Sequence, residues 1–472
     1  MGYGAKRIIA TMDTQKIDNL IIASNREPYT HKKSKTGVVC EKNTGGLVSS
    51  IDATMRSGLW IAWGSSDADF LGDEKIDLPP EHPRYSLKRI RLTKAEIDNY
   101  YHGFSNSTLW PIFHQFIEKA VFDDRYWNSY KRVNLKFAEA VIEEIKEESL
   151  IWVHDYHLSL LPKSIRNEYK DAKIAIFWHI PWVHWDTFND LPQREEIFEG
   201  ILGADLIGFH TKSYVQNFIE CAKNLGFIVD ERKKTINTDD RMIKVKSFPI
   251  GIDYHAFSEA PRYLTTRKKS GKIIFGIDRL DYTKGILNRL FAFERFLEKY
   301  PEFTKKVTLI QATSPSRTMV EEYRSMKREI DENVGRINGR YETMDWTPIR
   351  YFYRRIPQKT LLGYYMSADV ALITPLIDGM NVIVKEYIAT NDLGVAILSE
   401  FTGAAEELKE AIIVNPYDID EVADAIKIAL EMPEKEKRER FTALKERIQK
   451  KDINWWFKTF FDSWRKIYAS SV

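Results

Sequence analysis

One unit recurs along this chain and restricts its fold more than any other feature. A short apolar run ends abruptly in polar residues and hands over to a helical pattern. Leu20-Ile21-Ile22-Ala23-Ser24 runs into Asn25-Arg26-Glu27-Pro28, and Leu150-Ile151-Trp152-Val153 into His154-Asp155-Tyr156-His157. Lys173 to Trp178 delivers His179-Ile180-Pro181, and Leu206-Ile207-Gly208-Phe209 delivers His210-Thr211. Strands that alternate with helices and shed polar residues at their C-terminal ends are βαβ units of a parallel, doubly wound α/β sheet. Ligands of such sheets bind outside the carboxyl ends of the strands, so the polar residues should converge on one edge.

The rhythm restarts at Lys272-Ile273-Ile274-Phe275-Gly276-Ile277. It continues through Val307 to Gln311, Arg350 to Tyr353, Val370 to Thr374, Val395 to Ser399 and Ala411 to Val414. At 472 residues the chain exceeds one ordinary core. Two facing Rossmann-like domains with a cleft between them follow, residues 1–255 and 256–450, and clefts between domains are preferred ligand sites. The polar stretch 262–271 reads as a surface linker. The aromatic segment Asn454 to Ile467 reads as a helix whose apolar face must be buried, and residues 451–472 are expected to pack back on the first domain. The lysine-rich stretch 29–42 reads as a mobile loop.

Composition narrows the function. Net charge is +2, so no broad nucleic-acid surface is indicated and anion binding must come from local placement. Cys40 and Cys221 are the two cysteines and fit no metal or redox spacing, which points to a reduced, cytoplasmic setting. No apolar run reaches the ~20 residues of a membrane span, and the N-terminus lacks a signal-peptide core.

In the second half, Asp378-Gly379 falls where the strand Val370 to Thr374 has ended and a helix begins. The backbone N–H groups of Met380, Asn381 and Val382 would face out of that helix start, ready for a diphosphate. Glu386, further along, could accept ribose hydroxyls, which together suggests a sugar nucleotide. The competing reading is that Asp378 caps the helix and Glu386 is a solvated side chain. Arg279 and Lys284 follow another strand, and Arg317 a third. An arginine and a lysine at one sheet edge can neutralise a departing diphosphate. In the first half, Tyr100 to Pro111 is dense in aromatics with polar tips, a surface suited to sugar but equally to core.

Motifs NRxP, GGL, FSNxxLWPxFH, WVHDYHLxLLP, HIPW, ADLIGFHT, FPIGID, GIDRLDYTKG, PSR, DGMNxxxKEY and SEFxGAA occur in that order. The series resembles the trehalose-6-phosphate synthase family, retaining glycosyltransferases of family 20 with a GT-B fold, across nearly the whole chain. The resemblance implies glucose transfer from a nucleoside-diphosphate glucose to glucose 6-phosphate. It needs neither metal nor cofactor, and the anomeric configuration is kept by a front-face route in which the leaving phosphate takes the acceptor's proton. Carried over by motif, Arg26, Tyr101 and Arg317 would hold the acceptor phosphate, with Trp60, Trp110, Asp155 and Tyr156 around the acceptor. Gly46, Asp155 and His179 would address the transferred sugar. Arg279, Lys284 and the amides after Gly379 would hold the diphosphate, Asp378 the donor hydroxyls and Glu386 the ribose. His179, Arg279, Lys284 and Asp378 would form the catalytic set.

Three departures from the family pattern stand near where substrates are expected: Trp182-Val183-His184-Trp185-Asp186 after HIP, Ile377 before Asp378, and Glu27 after Arg26. They leave open another phosphorylated acceptor such as glycerol 3-phosphate, or a non-catalytic sugar-phosphate sensor. The donor nucleotide is equally open, and a homo-oligomer is possible. No phosphatase region follows the motifs, so a separate phosphatase is expected.

Overall fold

The structure, a computed structural model, describes residues 17, 19–34, 37–43, 46–71, 73–261, 271–317 and 321–469. Two sheets dominate it. The first has ten strands, and its seven central ones are parallel. Leu20–Arg26 lies in the middle, flanked by Leu59–Trp63 and then Tyr85–Ile90 on one side. On the other side come Leu150–His154, Lys173–Phe177, Leu206–Phe209 and Met242–Ser247. The strand order reverses between Leu20–Arg26 and Leu150–His154, so the crevice there opens beside Arg26 and Asp155.

The second sheet is wholly parallel. Taken in chain order as strands one to six, its arrangement is 3-2-1-4-5-6, the dinucleotide-binding order. Strand one is Lys272–Arg279 and strand four is Val370–Ile373. The switch point between them is where Arg279, Lys284 and Asp378 leave the sheet. The two doubly wound sheets expected from the alternating pattern are therefore present. Their buried strands are near-continuous apolar runs, as sheets covered on both faces require.

The chain passes from one lobe to the other at Phe248 to Asp253 and returns at Lys451 to Ile453. The crossings are adjacent, with the Ile453 amide donating to the Ile252 carbonyl at 2.9 Å. The returning helix Ile453–Ala469 lays its aromatic stripe on the first sheet. Phe460 stacks on Trp152 with centroids 4.7 Å apart, and Trp456 donates its indole N–H to the Phe248 carbonyl at 3.2 Å.

The described residues of 29–42 differ from expectation. They form an antiparallel hairpin, Tyr29–Ser34 with Gly37–Lys42. Most of its side chains face solvent, so no apolar alternation marked it as strand. The linker residues 262–270 lie outside the described residues, as do Thr44 and Gly45.

Candidate active site

Both switch points open on one cavity of about 370 Å³ between the lobes. From the first lobe come Arg26, Tyr101, Trp110, Asp155, Tyr156 and His179. From the second come Arg279, Lys284, Arg317, Asp378, Met380, Asn381 and Val382. Thirteen of the residues singled out by sequence thus meet in one place.

In the first lobe a bulge between Ser24 and Arg26 breaks the strand register and turns Arg26 out at the sheet edge. Its guanidinium lies over the Tyr101 ring at 4.7 Å and donates to the Tyr101 hydroxyl at 2.5 Å. Tyr101 sits on a wide π-helix, Ile97–Leu109, in which the Asn106 and Ser107 side chains bond carbonyls five residues back. Burial alone would raise the Tyr101 phenol. The guanidinium groups of Arg26, Arg317 and Arg279 outweigh it and hold the phenol below its ordinary value. The cause is the positive field of three guanidinium groups around one phenol.

Arg317 crosses to this half. It donates to Asn106 Oδ1 at 2.6 Å and to buried Asp281 at 3.2 Å, and its guanidinium lies 4.6 Å from the Trp110 ring centre. Tyr156 shares Asn106 Oδ1 at 3.0 Å. Asp155 has a left-handed backbone, φ 73°, and receives the His179 amide at 3.2 Å; burial pushes its carboxyl up to about 7. His179 Nε2 lies 3.0 Å from His154 Nδ1. Burial drives His154 and His210 down to about 3 and His179 well below its usual value, so these imidazoles add no positive charge.

In the second lobe Arg279 ends its strand exposed to the cavity. Lys284 pairs with Asp378 at 2.7 Å. Burial opposes ionisation of Asp378, yet Lys284 prevails and keeps the carboxyl below its ordinary range. Asn381, in a left-handed conformation, caps the helix Val382–Thr390 by accepting from the Val384 amide and donates to Asp378 at 3.2 Å. Asp378 is therefore not the cap. The unclaimed first-turn amides among the described residues are those of Val382 and Ile383; of the expected Met380, Asn381 and Val382 only Val382 is among them, because the cap is Asn381, three residues beyond Asp378. Val382 and Ile383 both line the cavity.

Gly379 stands beside the cavity, where its role is clearance. A Cβ there would lie 2.2 Å from the His179 carbonyl oxygen, across the lobe boundary. Gly403 likewise clears the Gly379 carbonyl, where a Cβ would sit at 2.2 Å. Glu386 lies one helical turn beyond Val382 on the same face and takes the Tyr365 hydroxyl at 2.9 Å; burial pushes it up to about 7. Gly46 opens the helix Gly46–Thr54, whose Val48 lines the cavity.

Trp60 is a correction. It is fully buried in the first lobe's core and donates to Ser24 Oγ at 2.8 Å. Trp60 pairs with Ile22 in mid-strand, whereas Trp63 pairs with Arg26 at the ligand edge and lies 5.4 Å from its guanidinium. Strand register decides which tryptophan reaches the edge. None of the three departures lines the cavity. Trp182 is buried among Phe113, Phe188 and Phe218, Glu27 pairs internally with Arg89 at 2.7 Å, and Ile377 is absent from the cavity lining. Sequence reasoning missed Trp63, Asn106, His114, His154, His157 and His210, all but Asn106 at or near a strand end or helix end. The strand-end position of His154 and His210 was the available signal.

The family model for glycosyltransferase family 20 matches residues 18–466. The chain belongs to glycosyltransferase family 20. Among family 20 relatives, a bifunctional trehalose-6-phosphate synthase/phosphatase of Thermoproteus tenax is 40% identical over 93% of this chain. The UDP-forming alpha,alpha-trehalose-phosphate synthase of Schizosaccharomyces pombe is 37% identical over 97% of this chain and 92% of its own length. This chain spans 62% of the Thermoproteus protein and 61% of a UDP-forming synthase A of Dictyostelium discoideum. A Burkholderia xenovorans UDP-forming synthase in complex with glucose-6-phosphate superposes with a TM-score of 0.85 at 32% identity, covering 95% of this chain and all of that one. An E. coli structure bound with UDP-2-fluoro glucose gives 0.84 at 32% identity over 94% of this chain and 98% of its own. The family 20 fold is thus the GT-B arrangement of two parallel-sheet lobes. No helix among the described residues is long and apolar enough to cross a membrane.

Proposed function

We propose that this chain is a retaining glucosyltransferase that moves glucose from a nucleoside-diphosphate glucose to glucose 6-phosphate, giving trehalose 6-phosphate and the nucleoside diphosphate. The observation that carries it is the convergence of Arg26, Arg279, Arg317 and Lys284 from two lobes on one cavity. Two anionic groups fit there, one against Arg26, Tyr101 and Arg317 and one against Arg279, Lys284 and the Val382 and Ile383 amides. In this reading the first lobe binds the acceptor and the second the donor, and Glu386 takes the ribose.

Catalysis rests on positioning and on the leaving group. As the glucosyl–oxygen bond lengthens, negative charge grows on the departing phosphate beside Arg279 and Lys284. Lys284 is held at the right place by Asp378 until a phosphate oxygen competes for it. The departing oxygen takes the acceptor's proton on the face it leaves, which preserves configuration. The Dictyostelium discoideum and Schizosaccharomyces pombe relatives are UDP-forming, so UDP-glucose is the first donor to try. No observation favours a different acceptor: Trp182 and Val183 are buried, and no residue from Trp182 to Asp186 lines the cavity.

The test is a matrix of UDP-, ADP- and GDP-glucose against glucose 6-phosphate and glycerol 3-phosphate, with chelator present and the product linkage determined. Nucleotide release with glucose 6-phosphate and an α,α-1,1 linkage is expected. Absence of turnover with every donor would sink the proposal.

A further inference from the structure

His114 ends the FSNxxLWPxFH motif and has no part in the scheme above. It follows the short helix Trp110–Phe113, is 1% exposed and lines the cavity. Its Nδ1 lies 2.7 Å from the Trp110 carbonyl oxygen. A carbonyl only accepts, so Nδ1 carries the hydrogen. The ring also packs on the Trp110 indole with centroids 3.9 Å apart, which fixes its plane. Burial, and after it the charge of Lys284, drives the imidazole down to about 4, so the ring is neutral. Nε2 is then a bare lone pair that takes no hydrogen bond from a described residue.

Ring nitrogens without a hydrogen-bond partner among the described residues are few in this cavity, His154 Nε2, His157 Nδ1 and His210 Nδ1 besides His114 Nε2. Four of its groups are cations and the helix-start amides are donors. The three lining carboxylates are engaged, Asp155 by the His179 amide, Asp278 by Arg289 and Asp378 by Lys284 and Asn381. A bound sugar brings several hydroxyl donors, and each one left unpaired on burial is costly. The charges acting on His114 are led by Lys284 and include Asp378, the pair on the donor side. We propose that His114 Nε2 accepts a hydrogen bond from one hydroxyl of the transferred sugar and selects against donors lacking that hydroxyl. This rests on the reading of the cavity as a glucosyl-transfer site.

Two substitutions separate this role from a structural one. In His114→Asn the amide nitrogen falls where Nδ1 was, so the bond to Trp110 is kept and nothing replaces Nε2. In His114→Gln an amide oxygen falls where Nε2 was and the Trp110 bond is given up. The expected result is a drop of about 10–100-fold in kcat/KM for His114→Asn with His114→Gln closer to wild type. Across monodeoxy UDP-glucoses, one analogue should be as poor on the wild type as the parent donor is on His114→Asn, and that variant should no longer tell the two apart. A purely structural role gives the reverse order of variants, and that order, or an indifferent Asn variant, overturns the inference. Wild-type turnover in the same assay isolates that failure, whereas a wild type without turnover brings down the glucosyl-transfer reading and this inference with it. On the intact protein, the ¹⁵N resonance of His114 Nε2 should lack an attached proton and move when UDP-glucose is added. A resonance that stays put also overturns it.

Discussion

Arg317 of the second lobe donates to Asn106 of the first at 2.6 Å, and Asn106 in turn receives the Tyr156 hydroxyl at 3.0 Å. One amide oxygen therefore ties the lobes together on the floor of the acceptor half. Arg317→Lys cannot keep the planar fork that reaches Asn106 and Asp281 at once. The KM for glucose 6-phosphate should rise roughly 10–100-fold with little change for the donor. Steady-state kinetics with each substrate varied in turn checks this, and equal effects on both would refute the division of the cavity.

Lys284 and Asp378 form a pair whose members depend on each other. Lys284→Ala leaves leaving-group charge uncompensated, and kcat should fall by about 10²–10³-fold. The same change deprives buried Asp378 of the partner that keeps it ionised, so its carboxyl should titrate higher. Circular dichroism should remain native. Wild-type kcat in this variant would remove Lys284 from the mechanism.

Glu386 gives a pH dependence. Its carboxyl is pushed up to about 7 from 4.5 by burial. The folded state therefore keeps a proton that the unfolded chain releases as pH rises above 4.5, and stability falls through the window from 4.5 to about 7. Glu386→Gln should gain roughly 1–3 kcal/mol over wild type at pH 8 and nothing near pH 4. Donor KM in the wild type should rise as pH drops through about 7, while the variant binds donor weakly at every pH. Thermal melts and kinetics at both extremes decide the matter; an unchanged Tm difference across pH would count against the buried carboxyl.

Gly379 has no room for a methyl group toward the His179 carbonyl. Gly379→Ala should force the lobes apart at the donor edge and cut turnover by about 10²-fold, as a misplacement of ~1 Å can. Each lobe should keep its fold, and small-angle scattering should show an expanded particle. A variant with wild-type turnover and dimensions would mean the boundary yields.

Trp60 and Trp63 should separate cleanly. Trp60→Ala empties a core site and should cost about 3–5 kcal/mol of stability. Trp63→Ala should mainly raise acceptor KM by weakening the packing that holds Arg26. Denaturant melts beside kinetics on both variants test the assignment.

That pair also shows what the sequence can and cannot say. Strand identity was legible because Leu59 to Trp63 is apolar and β-prone, and motif order pointed to the right segment. Which tryptophan reaches the edge depends on a cross-strand register set by the bulge at Ser24, which leaves no local trace. The loop Trp182 to Asp186 looked like a substrate contact because it follows a strand end, yet an indole can turn back into the core, as Trp182 does. The hairpin after Pro28 was invisible because solvent faces most of both strands. Of the three helix-start amides expected, only that of Val382 is a free first-turn amide, and the error came from Asn381 taking the cap. The neutral histidines carry no sequence signal of their charge state, which only burial sets.

The helix Ile453–Ala469 belongs by contact to the sheet begun at Leu20, with Phe460 on Trp152. A ribosome therefore releases the covering piece of the first lobe only after the whole second lobe has emerged. Trp152 and Phe177 await their partners throughout synthesis, so a chain cut short before Ile453 should stick to its neighbours or to chaperones even though every cavity-lining residue is already made.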